Sequence, residues 1–134
     1  MRNNVLLLLA VVFVLPFTGM PVLAHHSFMA EFDMSKPITL KGVVTKIDYV
    51  NPHISFFIDV TDTTGKVTNW VFEGAGPSAL SRRGWIKNTM QPGDSVTVDG
   101  FPAKNGRPIG AAKTVTWGDG RQLYAGSDGV APSR

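Results

Sequence analysis

No cysteine occurs anywhere in the 134 residues. That excludes disulfides, thiol nucleophiles and thiolate metal ligands, and it leaves no residue to carry a bacterial lipid anchor. Apolar runs are also short: the longest, from Val5 to Leu15, falls below the roughly 20 residues a spanning helix needs and is followed by Pro16 and Pro21. Charge is sparse and nearly balanced, with 13 basic and 10 acidic residues. A weak and evenly spread excess of this kind argues against a nucleic-acid partner. Missing as well are paired carboxylates at a catalytic spacing, a phosphate-binding glycine loop, an HExxH pair and a nucleophile motif, so conventional catalysis is not expected.

What the chain does have begins with an export signal. Met1 and Arg2 give a short positive start, an apolar stretch follows, and Val22-Leu23-Ala24 places small or apolar residues before a cleavage point. Residues 1–24 are therefore expected to be removed, leaving a soluble periplasmic chain of 110 residues with no stable membrane anchor. Only Arg2 of the basic residues lies in the signal, so the mature chain keeps 12 basic against 10 acidic residues, a net +2. That length suits a single domain with one core, expected over residues 25–126, and the small polar residues of 127–134 read as a disordered tail.

Along the mature chain, His25 to Lys36 mixes Phe28, Phe32 and Met34 with acids and reads as an arm packing by its aromatics. Ile38 and Leu40 alternate in one phase while Val43, Ile47 and Tyr49 continue in the other, which predicts a bulge or sharp bend at Gly42. Asn51-Pro52-His53 breaks the strand, because proline cannot donate to a ladder. Ile54, Phe56, Ile58 and Val60 make a second strand, Asp62 to Lys66 a hairpin turn, and Val67 to Phe72 a third strand. Pro77 sits where a short helix would start and Gly84 where it would stop. Val96 and Val98 lead to Gly100 in a fourth strand, Lys104 to Arg107 turn, Ala111 to Trp117 form a fifth, and Gln122 to Tyr124 a short extension. This order predicts an all-β domain with little helix: a five-stranded OB-like Greek-key barrel with one short helix between strands 3 and 4. An open five-stranded sheet capped by the helix is the alternative.

The segments His25-His26-Ser27-Phe28, Lys36 to Val44, Asn51-Pro52-His53, Asn69-Trp70, Arg82-Arg83-Gly84-Trp85, Pro92-Gly93-Asp94 and Asp119-Gly120-Arg121 together resemble a family of small exported bacterial proteins classified only as a domain of unknown function, family 6152. The resemblance spans nearly the whole mature chain and implies no particular activity. A looser similarity, carried by Leu40-Lys41-Gly42, Thr64-Gly65-Lys66 and the segment Pro92 to Gly100, runs to periplasmic bacterial OB-fold proteins. It implies a fold and a compartment, with no ligand attached.

Three histidines are present, and two of them open the mature chain. A terminal His25 can chelate through its α-amino nitrogen and Nδ1, and His53 would complete a T-shaped set of three nitrogens suited to copper(II). This is similar to the histidine brace of copper proteins in its ligand arrangement alone. His26 offers another route, since an amine, a backbone amide and a histidine at position two also bind copper. The plainer reading is a solvated terminus and a His53 ring bonded to a loop carbonyl. A metal-free alternative uses an aromatic sheet face, where Phe57 and Trp70 beside Asn51, Lys104 and Arg107 would bind a small ligand, a saccharide or a protein partner. Arg82-Arg83 is a candidate anion or membrane-surface contact, or simply a solvated helix face. No enzyme activity is expected, unless an open copper position performs redox chemistry.

Overall fold

The computed structural model describes residues 30–127 and residue 130. Six strands and one helix follow in order: β1 (Ile38–Asp48), β2 (Ser55–Thr61), β3 (Val67–Glu73), α1 (Pro77–Ser81), β4 (Ser95–Pro102), β5 (Ile109–Trp117) and β6 (Gln122–Tyr124). In the sheet they run β3-β2-β1-β4-β5-β6, and β3 also pairs with β5. That extra pairing is parallel, through Val71, Phe72 and Glu73 against Ile109, Gly110 and Ala111. It closes β1, β2, β3, β5 and β4 into the five-stranded OB-like barrel, with the short helix between strands 3 and 4 and β6 added along the outer edge of β5.

Alternation explains the inward faces. Phe56, Ile58 and Phe72 are fully buried, as are Val98 and Val115 from the opposite wall, and Phe56 stacks on Phe72 with centroids 5.7 Å apart. Each large apolar side chain taken from water contributes about 1.5–3 kcal/mol. Pro77 opens the helix with its φ preset, Leu80 is its buried residue, and Gly84 at φ +90° ends the turn that follows. Next in the chain, Trp85 is buried against Trp117 and donates its Nε1–H to the Tyr124 carbonyl at 3.0 Å. The hairpin after β2 is held by Asp62, whose carboxylate accepts from the Thr64 hydroxyl and backbone N–H and from the Lys66 N–H. These bonds, the Thr64 hydroxyl first, keep the Asp62 carboxyl below its usual value.

The bend in β1 lies elsewhere than the phase argument places it. Gly42 and Val44 are buried, whereas Val43 is 45% exposed, so the first phase continues past Gly42. Register against β2 shifts between Val44 and Lys46, making Thr45 the extra residue. Gly42 is needed for closeness rather than for a left-handed φ: a β-carbon there would sit 2.6 Å from the Asp59 carbonyl oxygen. Gly100 also sits at a crowded corner, since a β-carbon would run into the Ala111 carbonyl, and the register of β4 on β5 slips beside it.

A second, smaller core joins Phe32, Ala103, Ala111 and Val130, all buried. Phe32 bridges to Ala103, and the Asp33 N–H donates to the Pro102 carbonyl at 2.8 Å. The arm thus packs by an aromatic, as expected for Phe32, while Phe28 lies outside the described residues. Of the segment expected to be a tail, Ser127 and Val130 are described: Val130 is 1% exposed, and its N–H donates to the Ser127 carbonyl at 2.8 Å.

Candidate functional site

The register gathers several chain reversals at one end of the barrel. Asp48 faces Ser55, Ser55 faces Glu73, Glu73 faces Ala111, and Pro102 faces Gly110. The β1–β2 loop with Asn51 and His53, the end of β3 and the β4–β5 loop with Lys104 and Arg107 therefore share that end. Backbone bonds fix the loop there: the Ile54 N–H donates to the Ala75 carbonyl at 3.2 Å, the Gly74 N–H to the Ile54 carbonyl at 3.0 Å, and the Ala75 N–H to the Ala125 carbonyl at 2.8 Å. The Asn51–Pro52 peptide is cis. Gly76 lets the loop press close, because a β-carbon at that position would meet the Pro52 carbonyl oxygen.

His53 is exposed, and its charge acts on Glu73. Burial pushes the Glu73 carboxyl above its usual value, the charge of Glu31 pushes it the same way, and His53 opposes both. Glu31 is anchored through its carbonyl, which accepts from the Lys104 N–H at 2.9 Å. Glu31 and His53 thus act on Glu73 in opposite senses. Neither carboxylate stands out in the sequence. Glu73 ends the outward phase Val67, Asn69 and Val71 and is partly buried.

Of the other candidates, His25 and His26 lie outside the described residues. Among the described residues, no three His, Cys, Asp or Glu side chains converge on a metal position. Phe57 and Trp70 do not form one platform. Phe57 pairs with Val71 on the outer face, under the Lys46 ammonium at 5.1 Å. Trp70 pairs with Ile58 on the inner face, packs against the core and stacks on Phe72 at 5.9 Å. Strand alternation forces the separation, since odd and even positions of paired strands face opposite ways. Lys104 and Arg107 are exposed in the β4–β5 loop, where the Arg107 N–H donates to Asn105 Oδ1 at 3.0 Å.

The adjacent arginines divide. The Arg83 guanidinium donates to the Gly126 carbonyl and lies 4.8 Å from the centre of the Tyr124 ring. Arg82 is exposed and lines an open cleft of about 270 Å³ between the β1–β2 loop and α1.

Fold and site describe a small OB-like barrel whose polar residues cluster on the loops at one end. The chain belongs to a family of unknown function, DUF6152, whose model matches residues 14–112. That family carries no assigned enzymatic activity. Neither the curated proteins nor the solved structures contain a match. No helix among the described residues is long and apolar enough to cross a membrane.

Proposed function

We propose that this protein is an exported periplasmic binding module, without a catalytic step of its own, whose mature amino terminus and His53 bind one copper(II) ion. The observation that supports the reading is that the His53 loop and the β4–β5 loop share one end of the barrel, and the Lys104 N–H of the latter holds the Glu31 carbonyl of the arm at 2.9 Å. His25 precedes Glu31 by six positions, a chain length of at most about 20 Å. The histidine exposed by cleavage after Ala24 would then be tethered to the end of the barrel that carries the His53 loop. Before cleavage its nitrogen is an amide without basicity, so only the processed chain can chelate. Negative charge from Glu31 and Glu73 favours a divalent cation in that neighbourhood, and a cation there would ease the cost of keeping Glu73 ionised.

The test compares three proteins by titration calorimetry: the processed chain, confirmed by intact mass to begin at His25, its His53→Ala variant, and a form with one residue added before His25. One copper per chain is expected, weakened by the loss of His53 and at least as much by displacement of the amine. Equal binding by all three would reduce the reading to adventitious uptake by a histidine-bearing terminus.

A further inference from the structure

We infer that the cleft between the β1–β2 loop and α1 is a binding site for the oxyanion group of a small molecule, a carboxylate or a phosphate, held by Arg82. This goes beyond the copper reading and does not rest on it. Five polar residues among those described line the cleft: Asn51, His53, Ser78, Arg82 and Ser127. Among the described residues that line it there is no carboxylate, and Arg82 is the one permanent charge among them. The Arg82 guanidinium makes no hydrogen bond or ion pair within the described residues, whereas its neighbour Arg83 is spent on Gly126 and Tyr124. A second observation points the same way. Ser127 Oγ, shielded from solvent, has no partner within the described residues. A buried hydroxyl left unpaired is costly, and a bound oxygen would satisfy it.

The walls are rigid. Gly74 and Ala75 are bonded to Ile54 and Ala125, the Arg83 side chain ties the turn after α1 to Gly126, and Gly76 sits directly under the Pro52 carbonyl. The donors are thereby held in place before a ligand arrives, which lowers the ordering cost of binding. A planar guanidinium matches two oxygens of one carboxylate or phosphate, and the two hydroxyls and the Asn51 amide can serve the remaining lone pairs. At about 270 Å³ the open cleft suits a ligand of few atoms rather than a polymer.

The experiment follows backbone amide shifts of the metal-free protein during titration with inorganic phosphate and, separately, with succinate, at constant ionic strength. Saturable shifts are expected at Asn51, Ser78, Ala79, Arg82 and Ser127 in at least one arm, and the arm that saturates identifies the anion. Arg82→Gln should weaken binding about tenfold or more, as removing a charge-assisted donor does. Lys87→Gln makes the same change of net charge at an exposed position away from the cleft, and binding should be retained. Ser127→Ala should weaken binding without lowering the melting temperature, because it deletes a hydroxyl that is unpaired in the free protein. Shifts that never saturate, shifts centred elsewhere, or equal losses in Arg82→Gln and Lys87→Gln would overturn the inference. Copper affinity should be retained or raised in Arg82→Gln, since a positive charge beside the His53 loop is removed, so failure of this site and failure of the copper site can be told apart.

Discussion

Replacing Gly42 tests whether the barrel is closed by close backbone approach. Gly42 pairs with Val96 of β4 and its φ is not in the left-handed region, so alanine has no backbone strain to overcome there. The obstacle is space. A β-carbon would lie 2.6 Å from the Asp59 carbonyl oxygen, 3.1 Å from its carbon and 3.2 Å from Ile58 Cδ1. Two of these are main-chain atoms of β2, which cannot swing aside as the end of a long side chain can. Overpacking of this kind costs about 1–3 kcal/mol, while the smaller entropy of the unfolded alanine chain returns about 0.4–1 kcal/mol. The net loss for Gly42→Ala is then about 1–2 kcal/mol, or roughly 5–15 °C in melting temperature for a domain of this size. Gly42→Val should lose more.

Comparison with Gly106 separates the two reasons a glycine can be required. Gly106 has φ +75°, and a β-carbon added there would meet nothing within 4 Å, so its constraint is conformational and not steric. Asparagine tolerates the left-handed region better than alanine does. At Gly106, asparagine should therefore be the milder substitution; at Gly42 it should be no better than alanine. Thermal unfolding followed by tryptophan fluorescence reads both series. If Gly42→Ala melts with wild type, or if Gly42→Asn is clearly the milder change, the steric account of β1 is wrong.

Glu73 gives a prediction with a defined sign. Its carboxyl titrates above the ordinary value of 4.5 in the folded protein, so its contribution to stability is full below about pH 4.5 and is lost as pH rises through the folded pKa. Glu73→Gln, in metal-free protein, should melt higher than wild type at neutral pH, with the difference shrinking toward about pH 4; a difference independent of pH would sink the assignment. Copper should dissociate as pH falls toward about 5, because the α-amino group (about 7.7–8.0) and the imidazoles (about 6.5) must lose protons to become ligands. Equal affinity at about pH 7.5 and about pH 5 would exclude nitrogen ligands of those types.

Legibility in the sequence follows the range of the forces involved. Strand order, the Asp62 hairpin and the Pro77-to-Gly84 segment are readable because alternation, turn bonding and proline's φ are local. Periodicity misplaces the bulge because Val43 and Val44 are both apolar and adjacent, and alternation alone does not say which faces inward. Alternation places Phe57 outward correctly, but it does not fix the phase of β3, and there the pairing of Trp70 with Ile58 decides that Trp70 faces in. The small core of Phe32, Ala103, Ala111 and Val130 joins segments far apart in sequence, and no local pattern encodes such contacts.

The small core around Phe32 determines how the chain's beginning meets the site, and it yields the last prediction. Phe32 is fully buried with Ala103, Ala111 and Val130, so the arm is pinned seven positions after His25. Phe32→Ala removes a buried ring, a change that costs about 3–5 kcal/mol where the surroundings cannot relax. Release of the arm alone limits that cost, since the barrel's main core does not include Phe32. The signature should be faster proteolysis before Ile38 with a smaller loss in melting temperature than a main-core change such as Phe72→Ala. Copper binding should respond only weakly. With the pin gone, the nearest fixed residue is Ile38, thirteen positions from His25, and nearly doubling a tether costs only about 0.6 kcal/mol, roughly threefold in affinity. His53→Ala deletes a ligand outright and should weaken copper far more. If Phe32→Ala abolished binding as completely as His53→Ala, the site would depend on the packed geometry of the arm, and a tethered terminus reaching a fixed histidine would be the wrong description.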